Sequence, residues 1–293
     1  GITSATYAVA AAYIADVTPE EQRSARFGIL SSSFGLGFII GPALGGFLGG
    51  IDLRLPFWGS ALLCLGNAVY GFVALPESLP PENRSPFSWG RANPFGALRL
   101  LRSHPELSGL SWVVGLTSFA HAALPNLIVL YMGYRYRWGE SAIGLAVTAI
   151  GATAAIVGLW LVGFSVKRLG ERGTLLLGLV AATVGFLVYA FAFRAELFIA
   201  GIGIMALWGL SGAPLQTLMT RHVSPSEQGQ LQGAVTGLRC LTGMPGPLVF
   251  GWIFSQCVGP AAHVNFPGAS FFMASVVLAI SAIVATRVTR ETR

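Results

Sequence analysis

Long apolar stretches separated by short polar ones constrain this chain more than any other feature in it. A helix that crosses a bilayer needs about 20 mainly apolar residues, each adding 1.5 Å of rise. By that criterion the 293 residues hold nine candidate spans, at roughly 1–16, 25–49, 56–75, 107–132, 141–165, 174–193, 195–220, 229–256 and 269–287. Composition agrees, because 54% of the residues are hydrophobic and 10% charged, against roughly 25% charged in a soluble domain. The mean hydropathy is +0.67. The expected fold class is therefore an all-α, polytopic membrane protein. The 38 glycines fit it, since closely packed membrane helices favour small residues where they touch.

The polar remainder sets topology. Residues 76–106, beginning LPESLPPENRSP, form the longest polar stretch and read as a cytoplasmic linker between two bundles. Its later part, NPFGALRLLRSHPEL, suits a short amphipathic surface helix with Arg99 and Arg102 on the polar side. Cytoplasmic loops carry the excess of Lys and Arg. Thirteen of the eighteen basic residues fall in or beside 17–24, 76–106, 166–173, 221–228 and the tail 288–293, whereas Arg54, Arg135, Arg137 and Arg194 lie on the opposite side. That asymmetry places the C-terminus in the cytoplasm. The net charge of +6 is scattered through short loops rather than gathered into an aromatic-lined patch, so no nucleic-acid partner is expected. Cys64, Cys240 and Cys257 have neither a C-x-x-C nor a Cys/His metal spacing and read as small apolar side chains; no metal and no cofactor are expected.

A polar hexapeptide occurs almost twice, as VTPEEQ at 17–22 and VSPSEQ at 223–228. Each leads into a helix with a Gly-Pro pair, Gly41 and Pro42 in GPALGG and Gly246 and Pro247 in GPLVFG, at offsets of about 206 and 205 residues. Matched loops, matched Gly-Pro helices and matched topology read as an internal repeat of six helices. An even number leaves both copies in the same orientation, a parallel repeat about an axis along the membrane normal. Residues 107–293 then hold a complete C-terminal six-helix bundle, and 1–75 hold the fourth to sixth helices of an N-terminal one. Three further helices are expected before Gly1, which opens inside the apolar run GITSATYAVAAAYIA, giving a parent of twelve; the fragment by itself is expected to be inactive.

The stretch GLGFIIGPALGG resembles the antiporter motif G-x-x-x-G-P-x-x-G-G of the major facilitator superfamily at Gly37, Gly41, Pro42, Gly45 and Gly46. AYIADVTPEEQRSARFG, LPESLP, RLGER and EQGQLQGA resemble its drug:proton antiporters of the tetracycline-resistance type. The resemblance implies a major-facilitator fold and an alternating-access transporter, not an enzyme. GFSVKRLGER is similar to the family's second-half gating loop, with Gly163, Arg168, Gly170 and Arg172 in place and Lys167 where an acid is expected. Tetracycline exporters carry an acid in the ninth helix; residues 174–193 contain none, which argues against tetracycline itself as substrate.

Individual residues suggest chemistry. A Gly-Pro pair within a helix permits close approach and removes a backbone hydrogen bond, which bends the helix and suits it to a gate; plain helix packing is the alternative. Arg239 stands mid-helix, where a cation costs roughly 2.5–3.5 kcal/mol even on the mildest scale, so it faces a cavity or a partner unless it snorkels to the edge. His121, mid-helix in SFAHAALPN, is a candidate proton-linked group or a packing histidine. Tyr7, Phe34, Asn126, Tyr131, Gln216 and Gln232 are candidate cavity residues, since a drug site combines aromatic walls with a few polar groups. All twelve acids fall in loops or at helix ends. The raised-pKa carboxylate of a proton-coupled exporter is therefore expected before Gly1.

These features predict proton-coupled efflux of amphiphilic small molecules or drugs by a monomer in the bacterial inner membrane, its partners being the drug-like substrate, protons and the lipid bilayer. The alternatives are proton-coupled uptake of a polar solute and a non-transporting remnant. An intramembrane enzyme is disfavoured, since HExxH, G-x-S-x-G and a buried acid/His pair are all missing from the sequence.

Overall fold

The computed structural model describes residues 10, 13–14, 17–19, 33, 36–37, 40–76, 101, 105–223, 228–258 and 265–290. Most of the span expected at 1–16, about half of the one at 25–49, nearly all of the linker 76–106, half of the hexapeptide at 17–22 and most of that at 223–228, Tyr7 and Phe34 lie outside the described residues. The rest is helical, with no strand among the described residues. In chain order the helices are α1 (Ile40–Ile51), α2 (Leu55–Ala74), α3 (Pro105–His121), α4 (Ala123–Tyr136), α5 (Glu140–Ile156), α6 (Val162–Phe191), α7 (Ala195–Ala206), α8 (Gly212–Thr220), α9 (Gln228–Gly243), α10 (Gly246–Gln256) and α11 (Ala269–Val288). Five segments are long and apolar enough to cross a membrane: Leu55–Ala74, Leu107–Tyr136, Glu140–Phe191, Ala195–Thr220 and Ala269–Val288.

Two compact units divide the chain. One comprises Gly1–Trp89 with Glu140–Gly151, the other Gly90–Gly139 with Ala152–Arg293. In the first, α1 and α2 are separated by a three-residue turn. The Arg54 backbone N–H donates to the Asp52 carboxylate at 2.7 Å, and Pro56 at the start of α2 has no N–H that needs a partner there. No residue of α2 is buried, and Phe57, Trp58, Phe72 and Val73 are widely exposed. Such a surface is tolerable because the surrounding solvent is hydrocarbon.

The second unit has a continuous core. Leu107, Leu110, Val113, Leu175, Leu179, Phe186, Phe198, Phe271, Ala274 and Leu278 are almost fully buried. A ladder of rings runs through it: Tyr189 stacks on Phe198 with centroids 4.5 Å apart, Tyr131 meets Phe271 edge-on at 5.0 Å, and Phe186 meets Trp208 at 5.7 Å. Tyr131 belongs to this core rather than to an open surface. Its hydroxyl donates to the Tyr189 carbonyl at 2.8 Å, and Tyr136 donates to the Ala192 carbonyl at 2.8 Å. These carbonyls lie at the C-terminal end of α6, where helical partners run out.

Two spans differ from expectation. The segment Glu140–Phe191 contains 52 residues, roughly 78 Å of helix, more than twice a hydrocarbon core of about 30 Å, so it makes two passes. The residues expected to form a loop at 166–173 are helical on both sides of Gly170, and the reversal is concentrated at that residue, with φ 70° and ψ 174°. Only glycine enters this region without steric cost. The span expected at 229–256 is interrupted between α9 and α10 at Met244 and Pro245. Pro245 and Pro247 supply no N–H, so the helical hydrogen bonds that positions 245 and 247 would donate cannot form.

Candidate functional site: an Arg–His face where helices are broken

Three helix interruptions meet in the second unit at the depth of the membrane interior. The first is the junction of α3 and α4 at Ala122. The second is the Pro245 break, whose neighbour Gly246 packs so closely on Ala122 that a Cβ there would overlap Ala122 Cβ. The third lies in the Ala195–Thr220 segment, where Leu207–Leu210 tighten into a 3₁₀ turn. That turn packs against the π-helical turn Val157–Leu161, through a cluster of Val157, Ala206 and Leu210. Non-α turns inside membrane helices are frequent at functional positions, because they free backbone groups and give the helix a place to bend.

His121 stands where these interruptions converge. It is the last residue of α3, its ring lies 5.0 Å from that of Trp208 in the 3₁₀ turn, and its outer side is exposed. Asn126, one turn into α4, is also exposed, its amide donating to the Ala122 carbonyl at 2.7 Å. From α9 comes an exposed polar stripe, Gln232, Thr236 and Arg239. Spacings of four and three residues place these on one helical face. Arg239 lies eleven residues beyond the start of α9, roughly 16 Å along the axis. Among the described residues it has no ion-pair partner. A cation on a membrane helix is hydrated by a cavity, neutralised by something that enters one, or carried to the membrane edge by its long side chain. Gln216 on α8 is half-buried, and its amide nitrogen has no partner among the described residues.

The antiporter-motif residues take two environments in the first unit. Around Gly37, Gly41 and Gly45 a Cβ would meet nothing within 4 Å. Gly46, in contrast, lies against Gly144 of α5: a Cβ on Gly144 would be 2.7 Å from Gly46 Cα and 2.8 Å from the Pro42 carbonyl oxygen. Ser141 donates to the Gly46 carbonyl at 3.5 Å. The gating-loop residues are also spread over different tasks. Gly163 faces open space, Lys167 is exposed, and Arg168 covers the Phe164 ring at 4.8 Å. Arg172 reaches α11, donating to Thr289 Oγ1 at 3.0 Å and to the Thr286 carbonyl at 3.5 Å. Beside it, Glu171 pairs with Arg221 at 2.7 Å.

Sequence reasoning missed three residues. Thr236 was within reach, because it sits four after Gln232 and three before Arg239. Trp208 and Gly144 carried no local signal, since their importance lies in what packs on them from distant parts of the chain.

Residues 1–247 match the Major Facilitator Superfamily. The chain belongs to that superfamily. Its described residues form a helical membrane protein with several segments long and apolar enough to cross a bilayer. The chain is 38% identical over 265 residues to the tetracycline resistance protein, class G, of Vibrio anguillarum, covering 88% of this chain and 66% of that protein. It is 34% identical over 255 residues to the class C protein of Escherichia coli, covering 87% of this chain and 64% of that one. It thus spans just under two thirds of the length of either relative. Among solved structures, the fold is similar to an inward-facing, unoccupied bacterial homolog of the human lysosomal transporter Spinster, with TM-score 0.68 at 17% identity, covering 96% of this chain and 74% of that one. It is also similar to the human organic anion transporter MFSD10, with TM-score 0.65 at 22% identity, covering 95% and 67%.

Proposed function

We propose that this transporter works as a proton-coupled exporter of amphiphilic small molecules, by alternating access in a bacterial inner membrane with its C-terminus in the cytoplasm. The observation that carries this reading is the exposed Gln232–Thr236–Arg239 stripe of α9, a helix that packs on α3, whose last residue His121 lies against Trp208. Polar and aromatic groups on packed membrane helices offer a flat amphiphile both an apolar wall and a few orienting contacts. Residues 107–293 serve in it as one six-helix bundle and 1–75 as three helices of the other, with 76–106 as the cytoplasmic linker between them. Two supports point to export rather than uptake: the antiporter motif at Gly37, Gly41, Pro42, Gly45 and Gly46, and the tetracycline-resistance relatives. In this scheme the bend at Pro42 and the tight Gly46–Gly144 contact limit leak, and the loop from Gly163 to Arg172 gates the cytoplasmic side.

The test is drug accumulation in a hypersensitive bacterial host that lacks its own exporters and carries the complete gene encoding this chain. Accumulation of amphiphilic dyes and antibiotics is expected to fall on expression and to recover when an uncoupler collapses the proton gradient. Accumulation that rises on expression would instead identify uptake, and no change for any compound would remove the transport reading.

A further inference from the structure

We propose that a furrow on the outer side of α3 holds the acyl chains of a membrane phospholipid, at a site separate from the polar stripe of α9. Its volume is about 620 Å³, and every lining residue belongs to the second unit. Ser108, Ser111, Gly115 and Phe119 of α3 form the floor, and Leu238, Leu241 and Thr242 of α9 form one wall. Spacings of three and four residues put the floor on a single helical face, hollowed by its small side chains. The other side of α3, with Leu107, Leu110 and Val113, is buried in the core, whereas Trp112 at the furrow is 66% exposed. The furrow therefore opens away from the core. At 3.6 residues per turn, Leu238 and Leu241 fall roughly 120–180° round α9 from Gln232 and Thr236, so the furrow and the polar stripe occupy different sides of that helix.

Dimensions and chemistry select the occupant. From Ser108 to Phe119 the floor runs roughly 16 Å. A volume of about 620 Å³ over that length leaves a cross-section of about 40 Å², half that of a helix about 10 Å across. A helix of this chain or of a partner is thus too thick to enter. A methylene chain, about 4 Å across at van der Waals contact, fits with room for a second alongside it. The polar groups are turned inward: Ser111 donates to the Leu107 carbonyl at 2.6 Å and Thr242 to the Leu238 carbonyl at 2.8 Å, each within its own helix. A drug-sized amphiphile is oriented by a few placed polar groups, and these hydroxyls have already donated their protons. Both α3 and α11, which contributes Val277, belong to segments long and apolar enough to cross a membrane. Lipid tails surround such segments, and a carbon-lined recess of this width contacts a tail on several sides at once.

The test places the full chain in phosphatidylcholine nanodiscs carrying a trace of the same lipid with a diazirine midway along one acyl chain. After irradiation, mass spectrometry of the digested chain maps the adducts. The reference is the face of α6 with Leu177, Val180 and Val184, which is also exposed but lines no part of the furrow. Adducts per residue on 108–119 and 238–242 are expected to exceed those on that face about tenfold, the ratio that a preference of about 1.4 kcal/mol produces. Ser108→Leu and Ser111→Leu each put an isobutyl group into the furrow and should bring its labelling down to the α6 level; unchanged melting temperatures check that the helices still pack. Excess rhodamine 123, an amphiphilic dye, should leave the labelling unchanged. Furrow labelling no greater than that of α6 in the wild-type chain, or labelling that survives both leucine variants, would overturn the proposal. Labelling displaced by the dye would overturn it too, and would give the furrow to the transported molecule instead.

Discussion

Substituting Gly46 or Gly144 by alanine puts a methyl group where two helix backbones already touch. A Cβ on Gly46 would lie 2.8 Å from Gly144 Cα, and one on Gly144 would lie 2.7 Å from Gly46 Cα, whereas ordinary contact begins at 3.4 Å. The helices must therefore separate by about 0.6–0.7 Å, the difference between those distances. Both obstacles are backbone, which has no rotamer to swing aside. Overpacking of this kind costs about 1–3 kcal/mol, partly offset by the roughly 0.8–1 kcal/mol that alanine gains over glycine within a helix. Gly41→Ala is the internal control, because it adds the same methyl group to the same helix with nothing within 4 Å; only the propensity gain remains. Gly46→Ala and Gly144→Ala should thus be less stable than Gly41→Ala by about 1–3 kcal/mol, at about 2–4 °C per kcal/mol for a chain of this size. The double Gly46→Ala, Gly144→Ala variant should lose less than the two single losses together, since one separation of the helices accommodates both methyl groups. Thermal melts of the detergent-purified chain, scanned at one rate, measure the series. Equal melting temperatures for Gly41→Ala and Gly46→Ala would refute the close contact and the packing role of the motif's last glycine.

Gly170→Ala forces a Cβ into φ 70°, ψ 174° and should cost about 1–3 kcal/mol, while Gly163→Ala, in open space nearby, should be neutral or stabilising; the same melts compare them. Tyr131→Phe leaves the buried Tyr189 carbonyl without the hydroxyl that now donates to it at 2.8 Å. A loss of about 1–3 kcal/mol is expected, together with faster hydrogen exchange at the C-terminal end of α6.

Membrane character, the position of several spans and family membership were legible in the sequence, because each depends on the content of a contiguous window. Twenty apolar residues in a row are stable in lipid whatever surrounds them, and the G-x-x-x-G-P-x-x-G-G pattern is likewise local. Arg239 was legible as a helical residue for the same reason, since its place in α9 follows from counting residues. Tyr131 shows where counting fails: an aromatic residue in a membrane helix reads equally well as cavity wall or core, and its hydrogen bond to a carbonyl 58 residues away settled the matter.

The tertiary structure alone decided that the break after His121, the Pro245 break and the 3₁₀ turn at Leu207–Leu210 stand together. Nothing within any one of those segments specifies the others, because they lie on helices brought together by side-chain packing across more than a hundred residues. Similarly, the motif's glycines look equivalent in the sequence, and only the approach of Gly144 separates Gly46 from Gly41 and Gly45. The sequence by itself determined which segments are membrane-long helices and which polar residues they carry; which of those residues come together was a matter of which helix faces meet.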